Sequence, residues 1–467
     1  LFLLTLFCCC WLLEVEGATA DKPNIIFILA DDMGYGDLKA TNADCKNLAP
    51  AIDRIAAAGM VFTDMHSPAA WCVPSRYGLM TASYPHRNRC NWQKEPVITD
   101  DELTVPKMLK AHGYRTAMVG KWHLGFESGM NFNADVYHGG PVDRGFDSFY
   151  GLPHSLDIQP YLYIVNDKAE AKPTAKVGAR DPGKSHWNNI QGEFWRAGNA
   201  SPGFDHSKVL DTLAEKSVAT IKAHAQGSKK PLFLYVPLTA PHTPWLPAER
   251  FLSKTPDNMY AAFVAHVDDC VRRIDQAIAD SGMTDNTILI ITSDNGPVWY
   301  DKDRKRTGHS ATADLRGMKG DVWEGGHRVP FVVRWPGRVK AGSKSGELAS
   351  FVDILPTLAD LVGDKKSAGK YRDGYSLKDA LMGGKTKRET LVHLGTGKFM
   401  ALRSKNWKYI PFEGSGGFSK PRFVRPKEGE KRGQLYDLSK DRAEKNNLYD
   451  ANPELVIQFD AALEAAL

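Results

Sequence analysis

Five short, almost wholly apolar runs, far apart in the chain and separated by helical patterns, limit what it can fold into more than any other feature. They are NIIFILA (24–30), RTAMVG (115–120), PLFLYVPL (231–238), TILIITS (287–293) and VPFVVRW (329–335). A strand apolar at every position is buried on both faces, and helices between such strands are the crossovers that parallel pairing needs. The expected fold is α/β, a large, mostly parallel sheet flanked by helices. The helices carry their own end signals. Pro50 stands early in APAIDRIAAAG and Gly59 at its stop, Thr104 caps TVPKMLKAHG, and Gly282 closes the long helix from DNMYAAF. Ser350 and Asp353 open SFVDILPTLADLVG in the manner of a capping box.

The stretch from about 125 to 205 is polar and irregular and reads as surface loops. After about 385 the texture changes to TLVHLG, KFMALRS and WKYIPF, strands of an antiparallel sheet. A basic, Gly-rich loop (413–433), QLYDL and a terminal helix follow. A chain of 467 residues has room for a main domain over 22–385 and a smaller α+β subdomain over 386–467.

The first residues stand apart. LFLLTLFCCCWLL is followed by EVEGATA, with small residues at Ala18 and Ala20. This reads as a signal peptide over 1–20, too short to span a bilayer comfortably. It implies a secreted or periplasmic protein with no membrane span once the leader is removed; a retained anchor or lipoprotein signal is the alternative. Three of the seven cysteines leave with the leader. The remaining Cys45, Cys72, Cys90 and Cys270 form neither a disulfide framework nor a CxxC metal pattern, and a Cys45–Cys90 bridge stays open. A net charge of +5 argues against nucleic acid and suits at most an anionic ligand.

Four of the apolar runs end in residues that a core would not choose: Asp31 and Asp32, then Lys121 and His123, then His242, then Asp294 and Asn295. Ligands of open α/β sheets bind beyond the carboxyl ends of the strands, so these groups are expected in one crevice. Asp31, Asp32, Asp294 and Asn295 offer only oxygen and suit a hard divalent ion, Ca²⁺ in preference, Mg²⁺ as the alternative. Cys72 precedes Pro74, a residue suited to the first position of a helix, and Arg76. That helix end favours anions and could activate a plain thiolate. An inert buried cysteine is the other reading.

KPNIIFILADDMGYGDL, CVPSR, GYRTAMVGKWHLG, APHTPW, TSDNGP and LRGMKGDVWEGGHRVPFVVRWPG stand in the order found in formylglycine-dependent sulfatases, and the chain resembles that arylsulfatase-like family within the alkaline phosphatase superfamily. The resemblance runs from about Lys22 to the end and makes 22–385 the sulfatase catalytic domain. It implies that a formylglycine-generating enzyme oxidises Cys72 to formylglycine (3-oxoalanine), whose hydrate attacks the sulfur of a sulfate ester. It puts Asp31, Asp32, Asp294, Asn295 and the oxidised Cys72 on the cation. Lys121, His242 and Lys319 would bind sulfate, His242 and Lys319 would assist the leaving oxygen, His123 would act as base, and Arg76 would hold the formylglycine. Val73 and Ala82 depart from the family pattern and remove no catalytic group.

The expected activity is hydrolysis of an aryl sulfate or sulfated carbohydrate. The alternatives are a phosphonate or phosphate-ester hydrolase, and an unmatured protein that binds sulfated glycans. Trp92, His186, Trp187, Arg306, His309 and Arg403, in polar stretches near the motifs, are candidate substrate selectors, with Arg306 and His309 placed among the binding residues.

Overall fold

All five apolar runs are strands of one sheet. The computed structural model describes residues 22–467 except 47, 89, 182–186, 188–189, 254, 256–257, 368 and 430–431. The proposed leader therefore lies outside the described residues, and so does His186. Ten strands follow one another across the sheet: Ser343–Ser345, Met60–Phe62, Phe331–Arg334, Thr287–Ser293, Asn24–Asp31, Leu232–Pro241, Arg115–Lys121, Ser148–Leu152, Ile164–Val165 and Lys168–Ala169. The five from Thr287–Ser293 to Ser148–Leu152 run parallel.

The sheet is mixed, with its parallel pairing at the centre. Phe331–Arg334 pairs antiparallel with Thr287–Ser293, and the hairpin at the far edge is antiparallel too. Ser148–Leu152 lies in the stretch that the sequence presents as loops. Its SFYGL is short and interrupted by a glycine, and a Cβ at Gly151 would lie 1.8 Å from Gly120 O on the neighbouring strand. Close backbone approach, rather than a loop, is what that glycine serves.

Alternation along each central strand divides it between two cores. Ile25, Phe27 and Leu29 pack with Tyr77, Leu109, Leu355 and Leu358 from the helices Cys72–Thr81, Val105–Ala111 and Ile354–Val362. Ile26, Ile28 and Ala30 pack on the other face with Ile52, Leu213, Phe263 and Val267 from Pro50–Ala57, Val209–Gly227 and Met259–Asp280. Each Ile, Leu, Val or Phe among them contributes about 1.5–3 kcal/mol by leaving water. The expected caps are present: Thr104 accepts from Lys107 N at 3.2 Å, and Asp353 accepts from Ser350 N at 2.9 Å.

The C-terminal strands Thr390–Leu394, Met400–Ser404, Trp407–Ile410 and Gln434–Asp437 form a separate antiparallel sheet. Phe459 and Leu463 of the helix Pro453–Ala466 cover it. The Cys45–Cys90 bridge is absent, since the Cys90 thiol is free and packs as a half-buried apolar group. Among the described residues no helix is long and apolar enough to cross a membrane.

Candidate active site

Thr287–Ser293, Asn24–Asp31, Leu232–Pro241 and Arg115–Lys121 are consecutive neighbours, so their carboxyl ends open on one crevice. Asp31 and Lys121 are the last residues of their strands, and Asp32, His242 and Asp294 each follow one directly. Cys72 is the first residue of the helix Cys72–Thr81, which aims its amino end at the crevice. Pro74 occupies the third helical position instead of the first, still within the turn whose N–H groups have no intrahelical partner. Ala82 ends this helix in the left-handed region at φ 56°, a conformation that costs an alanine about 1 kcal/mol and a glycine little.

The charged groups interlock. Lys319 Nζ lies 3.4 Å from Cys72 Sγ and 2.8 Å from Asp32 Oδ2, and Cys72 Sγ lies 3.7 Å from Asp31 Oδ1. Lys121 Nζ donates to Asp31 Oδ2 at 2.6 Å. Arg76 is fully buried. It donates from Nε and Nη2 to Asp294 Oδ2 at 3.0 and 2.7 Å, and from Nη1 to Lys121 O at 3.0 Å. His242 Nδ1 donates to Thr243 O at 2.6 Å, which turns Nε2 toward Asp32 Oδ2, 3.8 Å away. Both ring nitrogens of His123 are buried without a hydrogen-bond partner, and the ring meets Trp92 edge-on at 4.5 Å.

Candidate ligand atoms converge in the same crevice. Asp31, Asp32, Cys72 and His242 each bring a donor atom within 4.8 Å of the others. Asp294 Oδ1 accepts from Asp32 N at 3.2 Å. Asn295 donates from Nδ2 to Asp32 Oδ1 at 2.6 Å and to Gly296 O at 2.9 Å, which leaves its buried Oδ1 without a partner. An orphaned amide oxygen among three carboxylates is a donor set that fits a hard cation.

Burial opposes ionisation of Asp31, but Lys121, His242, Arg76 and Lys319 overcome it and hold the carboxyl well below its usual range. Asp294 is pushed upward by burial and by the Asp31 charge. Burial drives the Cys72 thiol up to about 12, and the pull of Lys121 and Lys319 does not reverse it. For a plain thiol, burial thus outweighs the helix end and the two lysines. Burial, then Lys121 and Arg76, keep His123 neutral.

His154, beside Trp92 at 5.5 Å, is a residue that the sequence reading missed. It stands two residues past the end of the strand Ser148–Leu152, beside the carboxyl end of that strand, so the strand-end argument finds it once that strand is recognised. Burial lowers it to about 4. Between pH 6.5 and 4 the unfolded chain binds this proton and the folded one does not, so stability falls as pH drops through that window. The expected share at pH 5 is about 2 kcal/mol. Urea unfolding at pH 7 and pH 5 should show His154→Gln losing less stability on acidification than the parent; equal losses would sink the assignment.

Three expected selectors lie elsewhere. His309 is fully buried: its Nε2 pairs with Asp37 Oδ1 at 2.7 Å and its Nδ1 accepts from Lys46 N at 3.3 Å, so both nitrogens anchor structure beneath the crevice. Arg403 is buried against Asp64 at 3.0 Å. Arg306 lies flat on Trp187 at 3.5 Å, and Trp187 meets Trp245 at 4.6 Å. Arg306 is thus held against an aromatic pair rather than among the charged groups at Cys72.

A sulfatase family model matches residues 23–364. The chain is 33% identical to the N-acetylgalactosamine-6-O-sulfatase of Bacteroides thetaiotaomicron, across 96% of this chain and 94% of that one. It is 31% identical to arylsulfatase G of Rattus norvegicus, across 94% and 85%. A sulfatase structure from work on glycosaminoglycan metabolism by Bacteroides thetaiotaomicron superposes with a TM-score of 0.82 at 31% identity, covering 96% of this chain and 99% of that one. A family model over most of the chain and relatives at 31–33% identity along nearly all of it agree, and the chain belongs to the sulfatase family, sulfuric ester hydrolases of the alkaline phosphatase superfamily.

Proposed function

We propose that this sulfatase releases inorganic sulfate from a sulfated carbohydrate, using formylglycine made from Cys72 and a divalent cation, Ca²⁺ in preference to Mg²⁺. The observation that carries the reading is the balance of charge around Cys72. Asp31, Asp32 and Asp294 face Arg76, Lys121 and Lys319, so a divalent ion leaves two positive charges in excess, the complement of sulfate. Asp31, Asp32, Asp294 and Asn295 would hold that ion. Bound there, it supplies Lewis-acid polarisation of the sulfuryl oxygens.

The oxidised Cys72 supplies the nucleophile and, through its second hydroxyl, an internal route for expelling sulfate. Lys121 and Lys319 hold the sulfuryl oxygens and stabilise the charge that grows on them. His242, with Nδ1 tied to Thr243 O, presents Nε2 to the leaving oxygen and gives it a proton, with Lys319 beside it. His123, held neutral, accepts the proton of the second hydroxyl. Arg76 fixes the floor of the site through Asp294 and the Lys121 carbonyl.

A groove of about 830 Å³, lined by Trp299, Tyr300, Arg304, Arg316 and Phe418 and by Met318, the neighbour of Lys319 in sequence, has a size and lining that suit a sugar better than a small aryl ester. The relatives named for N-acetylgalactosamine-6-sulfate point to a 6-sulfated hexosamine as the first sugar to try. Secretion or periplasmic export, on the strength of the apolar leader, belongs to the same proposal.

The test combines peptide mass at Cys72 with sulfate release from defined sulfated sugars, an aryl sulfate and an aryl phosphate. Active protein is expected to have lost the Cys72 sulfur and to prefer sulfate esters. An unmodified thiol in fully active protein would falsify the mechanism, and faster turnover of the aryl phosphate would favour the phosphoester reading.

A further inference from the structure

Away from the crevice, three fully buried histidines come from three separate segments. They are His66 of Met65–His66, His327 of Glu324–His327, and His393 of Thr390–Leu394 in the C-terminal sheet. His327 lies face to face with His393, centroids 3.7 Å apart, and His66 lies 5.1 and 5.0 Å from the two. A line of hydrogen bonds runs through two of the rings. Lys408 Nζ is 2.9 Å from His327 Nε2, His327 Nδ1 is 3.0 Å from His66 Nδ1, and His66 Nε2 is 2.8 Å from Asp64 Oδ1.

Lysine only donates and a carboxylate only accepts, so one assignment satisfies these three bonds; Val322 O, 3.1 Å from the same His327 Nε2, then receives no proton from it. Lys408 donates to Nε2 of His327, His327 donates from Nδ1, and His66 donates from Nε2 to Asp64. Both rings are then neutral. Burial favours that state for each, and Arg328 and Arg403 keep Asp64 charged against its own burial.

By composition the group also resembles a metal site, since His66, Glu324, His327 and His393 bring donor atoms within 4.8 Å. The geometry argues against one. Lys408 Nζ already stands 3.0 Å from Glu324 Oε1 and 3.2 Å from Glu444 Oε1, so an ammonium occupies the place of the cation. Imidazole lone pairs lie in the ring plane, and two rings stacked face to face cannot aim them at one ion.

The same three segments meet again beside the catalytic groups. Ala70 N donates to Leu394 O at 2.7 Å, Gly320 N to Ala70 O at 2.7 Å, and Thr396 N to Gly320 O at 3.1 Å. Ala70 lies two residues before Cys72, and Gly320 directly follows Lys319. Nearer the histidines, Ser67 N donates to His327 O at 2.8 Å and Leu394 N to Pro68 O at 3.0 Å.

We infer that the Lys408–His327–His66–Asp64 chain, with His393 stacked on it, is a positioning device through which the C-terminal sheet sets Lys319 against Cys72. The inference rests on the catalytic roles proposed above for those two residues. His393, whose ring nitrogens have no hydrogen-bond partner among the described residues, serves as a flat plate; His327 and His66 carry the polar link.

The test uses the full, matured chain. His327→Leu is expected to lower kcat about 10- to 100-fold with KM within about twofold. His327→Gln, which keeps one donor and one acceptor, is expected to recover most of the loss, and His393→Phe to stay near the parent. Amide exchange in His327→Leu is expected to rise in peptides covering 66–72 and 317–322.

Unchanged kcat and exchange in His327→Leu would overturn the inference, as would equal losses in the Leu and Gln variants. Stoichiometric binding of added Zn²⁺ that disappears in His393→Phe would overturn it too. If His327→Leu does not fold, exchange in the parent decides: 66–72, 317–322 and 391–396 are expected to open as one unit, and opening of 391–396 alone counts against it. A parent chain with no sulfate-ester turnover overturns the proposed function instead, so the two failures are distinguishable.

Discussion

Cys72→Ala is expected to abolish sulfate-ester turnover, a loss on the order of 10⁵-fold, while leaving the chain folded. The nucleophile in the proposed mechanism is made from this side chain, and no other group in the crevice offers both attack and an internal exit for sulfate. The fold has little stake in the thiol. Its polar neighbours keep other partners, Asp31 on Lys121 at 2.6 Å and Lys319 on Asp32 at 2.8 Å. The expected stability cost is about 1 kcal/mol, the loss of one small buried group. Initial rates on an aryl sulfate, with urea unfolding of the same preparation, check both halves. An alanine variant with more than a few per cent of parental activity sinks the assignment of Cys72. Cys72→Ser is expected to stop after at most one turnover, because a single hydroxyl can attack but cannot expel the sulfate that it acquires.

Arg388→Met carries the largest expected change in stability, about 3–5 kcal/mol. Arg388 and Asp353 are both buried, and the guanidinium grips both carboxylate oxygens, from Nε at 2.9 Å and from Nη2. Further bonds run to Tyr84 Oη at 3.0 Å, Asp373 O at 2.7 Å and Thr390 O at 3.0 Å. Asp353 heads the helix Ile354–Val362 that covers the large sheet, and Arg388 lies two residues before the first strand of the small one. Without the arginine, Asp353 keeps Ser350 N and Tyr375 N as donors, but its charge is left buried and uncompensated. Arg388→Met with Asp353→Asn is expected to cost less than Arg388→Met alone, since no charge is then stranded. Denaturant midpoints of the two variants test this, and a single variant within about 1 kcal/mol of the parent would show the pair idle.

The readable parts of the chain are those governed by local rules. Each apolar run is a strand within one or two residues at its ends except Leu232–Pro241, which continues three residues further, because a short run this apolar and β-branched is most stable as a strand buried on both faces. The four strand ends delivering Asp31, Lys121, His242 and Asp294 were legible for a related reason: only a ligand justifies acids and cations where a core should continue. Ser148–Leu152 was illegible, since its glycine serves an interstrand contact made with residues remote in sequence. His154 was lost along with it.

Sequence alone therefore determined the strands, the helix caps, the class of chemistry and the groups gathered at Cys72. Tertiary structure alone decided which polar residues of the loops and the second sheet face that chemistry. His309 and Arg403 stand among the candidate substrate selectors in the sequence and are buried anchors in the fold. His66, His327 and His393 look unrelated and form one stack. The physical reason is range: strand and cap preferences act over a few residues, whereas burial and partnering of a lone polar side chain depend on segments hundreds of positions away.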